Sequence, residues 1–324
     1  MPKFKELKDL AEKDINPVPP SWPLVYYLIM EHKSPRDDNL GAAVAASGEA
    51  AIFSYARKSI APMYFCTIGG AQRLKICTGY GAKTLRTTEA EEAFSFLREG
   101  IDAGSGVFVA GPEIGLCYGY GDPGAIEKRE VYGISNWGPA FDGTYSWEKF
   151  SKHVESFGDA EGFSYIYPDS NPESPEDILQ MMAMAVIDWQ SEHPAVKFGM
   201  RQEHYGLASF KHFIEDLRDP EIRGQIDDAY INCHAIVFQL GGRYWLGQYI
   251  KQLAGKFADD MKERLIRIGD LYLEVYEMLN RFKELNIEGR NENEVQKAVD
   301  WLEEAHQADD KIYDEFISLR DSLT

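Results

Sequence analysis

The chain has 324 residues, 44% hydrophobic and 13% aromatic, with 53 acidic against 34 basic side chains and a formal charge of −19. That is enough apolar material for a sizeable core, in one large domain or two ordinary ones. A surface this acidic repels phosphate backbones and anionic lipid heads, which excludes nucleic acid and membrane surfaces as expected partners.

Residues 1–16 read as a short amphipathic helix with Phe4, Leu7 and Leu10 on one face. It stops before Pro17, Pro19 and Pro20, which cannot continue a helix. The charged opening has no apolar centre, so no signal peptide is expected. No apolar run approaches the roughly 20 residues of a membrane span. The four cysteines, Cys66, Cys77, Cys117 and Cys233, follow no CxxC or zinc-ligand spacing and read as free thiols of a reducing compartment. A cytoplasmic protein is the expectation.

Leu24 to Met30 reads as a strand. Asp38 or Asn39 then caps an alanine-rich helix running to about Ser59. Thr88, with Glu91 three residues on, fits a capping box for a helix to Arg98. The stretch from Gly100 to Gly138 reads as a meander of three strands, Gly106–Ala110, Ile114–Gly121 and Arg129–Ser135. Gly111-Pro112 and Asp122-Pro123-Gly124 separate them, and Asn136-Trp137-Gly138 closes the last. Ser146 or Thr144 starts a helix to Val154, and Phe163 to Tyr167 is a further strand.

A polar, proline-rich segment from Pro168 to Pro175 marks a change of composition. It divides the chain into an α+β domain, residues 1–168, and a helical region, residues 169–324. Ser174, Pro175 and Asp177 form a strong helix start. The helix from Ile178 to Trp189 is apolar on nearly all sides and should be buried. Helices follow at 207–217, 227–240 and 245–257. Two long amphipathic helices, Met261 to Phe282 and Val295 to Leu319, then make an antiparallel hairpin.

Chemical motifs are few. Gly79-Tyr80-Gly81-Ala82-Lys83-Thr84 lacks the glycine spacing of a phosphate loop and reads as a plain turn. Gly119 to Gly124 precedes a strand rather than a helix, so it is a hairpin turn and not a dinucleotide loop. No motif calls for a cofactor. His204 and His212 lie eight apart on one predicted helix with Ala208 between them, a poor metal pair. Asp227-Asp228, Asp259-Asp260 and Asp309-Asp310 read as helix starts or solvated faces. Cys66 and Cys117 stand in apolar runs as inert core filling. Cys233 and His234 are adjacent, about 100° apart on a helix, and cannot form a dyad with each other. Trp137, Phe141, Tyr145 and Trp147, with Asn136 and Asp142 among them, have the make-up of a small-molecule pocket wall. Core packing is the plainer account of each ring.

Three stretches carry a resemblance: Asp38-Asn39-Leu40-Gly41-Ala42-Ala43; Pro112 to Tyr120 followed by Val131 to Ser135; and Gly206 to Phe210 with the final hairpin. Together, over most of residues 22–320, the chain resembles bacterial and archaeal proteins related to the N-terminal domain of the butirosin-biosynthesis acyltransferase. Those are similar to papain-like peptidases that trim bacteriocin leader peptides. The resemblance implies a papain-like fold, in which a helix carries a cysteine at its N-terminus and a sheet presents a histidine, the helix dipole and imidazole stabilising the thiolate. Here the helix starts at Asp38-Asn39, without cysteine, and Glu113 or Ile114 stands where the family has histidine.

The expected function is therefore a catalytically degenerate papain-like protein that binds a small molecule or peptide. Asp38, Asn39, Glu113, Asn136 and Trp137 would line the old cleft. A second reading keeps acyl transfer or amide hydrolysis with a relocated nucleophile, Cys117 or Cys66. A third makes the chain a structural module whose C-terminal helices join copies into a homo-oligomer.

Overall fold

The structure, a computed structural model, describes residues 4–13, 15–17, 21–48, 54–56, 70–109, 111, 114–135, 141–159, 162–190, 196–198, 201–224, 237–283 and 291–323. The chain is α+β and forms two units. Residues 1–14, 21–43 and 78–172 make the first; residues 15–20, 44–77 and 173–324 make the second. The division is therefore not at one point of the chain, because residues 44–77 cluster with the helical part.

In chain order, α1 (Lys5–Ala11), α2 (Ser21–Lys33), α3 (Asn39–Ser47), β1 (Ser54–Ala56) and α4 (Gly70–Thr78) come first. Next are β2 (Tyr80–Leu85), α5 (Ala90–Asp102), β3 (Val107–Val109), β4 (Gly115–Gly121), β5 (Glu130–Ile134), β6 (Gly143–Ser146), α6 (Trp147–Phe157) and β7 (Phe163–Pro168). The rest comprises α7 (Pro175–Gln190), β8 (Val196–Phe198), β9 (Arg201–Tyr205) and α8 (Leu207–Arg218). It ends with α9 (Pro220–Arg223), α10 (Val237–Ala254), α11 (Asp259–Lys283) and α12 (Glu292–Leu323).

In the first unit the expected meander is present as β3, β4 and β5. It lies inside a six-stranded antiparallel sheet of order β2-β7-β3-β4-β5-β6. Alternating side chains serve both faces. On one, Phe94 and Leu97 of α5 and Phe150 and Val154 of α6 pack over Val107, Cys117, Val131 and Tyr165. On the other, Tyr26 of α2 hydrogen-bonds Ser164 at 2.6 Å and meets Phe108, while Leu7 and Ile29 close over Gly106. Leu24 to Met30 is thus helix, not strand, and a run buried this completely has no polar face to reveal its period. Gly115 and Gly133 sit beneath Phe141, where an added Cβ would collide with the Phe141 Cβ at Gly115 and with its ring and carbonyl at Gly133. Of the segment Gly79 to Thr84, read as a turn, only Gly79 is a bend, with φ +78° and a carbonyl that accepts from the Asp169 and Ser170 amides; Tyr80 onward is β2, paired along its length with β7. The helix after it is capped by neither Thr88 nor a box with Glu91. Thr87 instead accepts from the Glu89 amide and bonds Glu92.

In the second unit, β1, β9 and β8 form a small antiparallel sheet, and the other described elements are helices. His204 lies in β9 and His212 in α8, so the two do not share a helix. The alanine-rich helix ends at Ser47 rather than Ser59. Gly48 takes φ +75°, and Arg73 of α4 holds the last-turn carbonyls of Ala46 and Ser47 at 2.7 and 3.0 Å. The helices expected at 227–240 and 245–257 are, over the described residues, one helix, α10, continuous from Val237 to Ala254. Gly247 of α10 and Gly269 of α11 face each other's backbone, so neither position has room for a Cβ and the two helices cross closely. The hairpin α11–α12 is as expected, and α12 also packs on α7 and α8. Among the described residues no helix is long and apolar enough to cross a membrane.

Candidate functional site

The expected cleft residues separate into two groups. Glu113, Asn136 and Trp137, and with them Cys66, lie outside the described residues. Asp38 and Asn39 are described, and both serve the corner between α2 and α3. The Asp38 carboxylate takes a forked pair of hydrogen bonds from Arg36, at 2.9 and 2.8 Å. Asn39 is 2% exposed, and its amide nitrogen donates to the Ser34 carbonyl and the Glu31 carboxylate at 2.9 and 3.0 Å. Its side chain therefore ties the C-terminal end of one helix to the start of the next and caps no N–H of α3. Asp38 is the more exposed of the two, its side chain 23% accessible with both oxygens held by Arg36.

The described thiols are not poised for attack. Cys117 lies in β4, fully enclosed beneath α5 and α6, with its S–H directed at the Gly119 carbonyl at 3.4 Å. Burial pushes it up to about 12, against two backbone hydrogen bonds too weak to offset the loss of water. Cys77, at the end of α4, is likewise pushed to about 12 by burial, with Arg73 opposing weakly.

Two further features occur in the second unit. The first is a polar cluster inside the helices. Arg243 of α10 and Asp309 of α12, 0% and 1% exposed, pair at 2.6 Å. The Arg243 guanidinium lies 5.5 Å from the Tyr272 ring centre. Gln190 lies close enough to ease Asp309 ionisation without meeting hydrogen-bond geometry. Burial pushes Asp309 up to about 6, with Arg243 pulling the other way, and burial also raises Tyr272. Nε and Nη1 of Arg243, Oδ1 of Asp309, the Gln190 amide and the Tyr272 hydroxyl have no hydrogen-bond partner among the described residues. Of the Asp309-Asp310 pair, read as a solvated face, Asp309 is therefore buried, while the Asp310 side chain is half exposed. Leu302, Ala305, Asp309, Ile312 and Phe316 are all buried on α12, and their spacing of three and four had already placed Asp309 on the apolar stripe.

The second feature is a groove of about 1080 Å³ between α4 and α7. Its apolar lining is Ile76, Met181, Met184, Ala185 and Ile187. Its rim carries Gln72, Arg73, Glu173, Asp177, Gln180, Asp188 and, from α12, Arg320. Such a groove is large for a small-molecule pocket, which typically holds ~300–1,000 Å³. The sequence marked α7 as apolar all round, but only one of its faces is buried. Ile178, Leu179, Met182, Ala183 and Val186 point inward, while Met184 is 60% exposed. Compared with protein-family models and with curated proteins, the chain matches none.

Proposed function

We propose that the chain is a catalytically degenerate papain-like protein, which binds a small molecule or peptide in the former active-site cleft and does no thiol chemistry. The observation that carries this is the state of Cys117. It is the described member of the two relocated-nucleophile candidates, and burial keeps it protonated far above neutral pH. A thiol at about 12 has almost no thiolate at pH 7 and cannot attack a carbonyl at a useful rate. An antiparallel sheet with helices on both faces, and a helix opening at Asn39, support the papain-like part of the proposal. Asp38, partly exposed with its carboxylate held by Arg36, is the described member of the proposed lining, which Glu113, Asn136 and Trp137 complete.

Iodoacetamide labelling of the native chain near neutral pH, followed by peptide mass spectrometry, tests it. Cys77 and Cys117 stay unmodified until urea unfolds the chain, and none of the four cysteines reacts faster than free glutathione. A rapidly labelled Cys66 or Cys233 overturns the proposal and makes that residue a relocated nucleophile.

A further inference from the structure

We infer that the α4–α7 groove is a docking site for a basic, amphipathic helical segment of another polypeptide. This site is independent of the thiol chemistry above, and its test leaves the cysteines untouched. A helix apolar on all sides is stable when all sides are covered. The chain covers only one side of α7. The other presents Met181, Met184, Ala185 and Ile187 along the groove, and Met184 is the most exposed large apolar side chain among the described residues. From Asp177 to Asp188 this face is three turns long, about 16 Å. That length suits a helix placing apolar anchors at i, i+3 or i+4, and i+7 into a groove. Methionines adapt their shape to such anchors better than branched side chains do.

Charge selects among possible occupants. Glu173 and Asp177 stand at one end of the groove and Asp188 at the other, all exposed. The two cations of the rim are engaged within the chain, Arg73 by the carbonyls of Ala46 and Ser47 and Arg320 by Asp321. With three carboxylates against these two guanidiniums, the rim carries a net charge of −1, on a chain of charge −19. A second copy brings the same negative charge, and nucleic acid or anionic lipid a greater one, so all are repelled. A helix carrying Leu, Met or Phe on one face and Lys or Arg beside it matches both the floor and the rim.

The test uses fluorescence anisotropy with a labelled peptide of leucines and lysines, about 18 residues or five helical turns, its leucines on one face. Against the full chain at physiological salt it should bind saturably. Met184→Gln and Asp188→Lys, both at exposed positions, should each weaken binding about tenfold, or ~1.4 kcal/mol. Glu127→Lys, in the first unit and not among the groove residues, should change it less than twofold. Four results would overturn the inference. These are no binding, equal weakening by all three variants, equal binding of a leucine–glutamate peptide, or self-association of the chain that Met184→Gln abolishes.

Discussion

Asp309 shows how a charge comes to lie in a core and what it costs there. Taking the carboxylate out of water is unfavourable, and the Arg243 guanidinium offsets part of that loss. Removing one partner is then worse than removing both. Arg243→Met should cost about 3–5 kcal/mol in urea unfolding, while Arg243→Met with Asp309→Leu should recover most of it. The pH dependence has a definite sign. Burial raises Asp309 from 3.8 to about 6, so the folded chain holds the proton more tightly than the unfolded chain does. The contribution to stability is complete below about 3.8 and is lost as pH rises through about 6. Asp309→Asn should remove this loss of stability between about pH 3.8 and pH 6, measured as the difference in urea midpoints from the parent chain. Asn39 is a second residue whose work is internal. Asn39→Ala should destabilise by about 1–3 kcal/mol through its two lost hydrogen bonds.

At the scale of elements, what was legible depended on whether a segment has two unlike faces. The meander, the start of α7 and the hairpin all do, or carry strong turn and cap chemistry. Ser174 accepts from the Asp177 amide and donates to its carboxylate, as its spacing implied, and Ser174→Ala should cost about 1 kcal/mol. Helix α2 has no polar face over Leu24 to Met30, and a seven-residue apolar run bearing Val25 and Ile29 has the length and branching of a strand. Helix α3 was drawn too long because nothing local distinguishes the alanines before Gly48 from those after it. Its end depends on a positive φ and on Arg73, 25 or more residues away in the chain. Of the expected cleft, the Asp38–Asn39 helix start was legible, but the inward turn of Asn39 was not, since its partners Glu31 and Ser34 belong to a helix read as something else. Gly133 records the packing of the meander most sharply. Gly133→Ala drives a methyl into Phe141 and should cost about 1–3 kcal/mol or more, read as a lowered melting temperature.

On the scale of the whole molecule, the hairpin is part of the second unit's core. Leu265, Ile268, Tyr272, Val275 and Leu279 of α11 are fully buried, as are Leu302, Ala305, Ile312 and Phe316 of α12. Truncation before Asp259 should therefore yield a chain that binds ANS and precipitates, and not a well-folded monomer. The six-stranded sheet has its own relation to neighbouring copies. Its order leaves β2 and β6 with one strand partner each among the described residues. Strand β6 has only four residues, and β2 carries Lys83, tethered to Glu99 at 2.6 Å. A lysine on such a border hinders edge-to-edge annealing, and the negative field of the chain adds a barrier that salt screens. Association of copies through these edges should therefore be suppressed at low salt and rise with ionic strength.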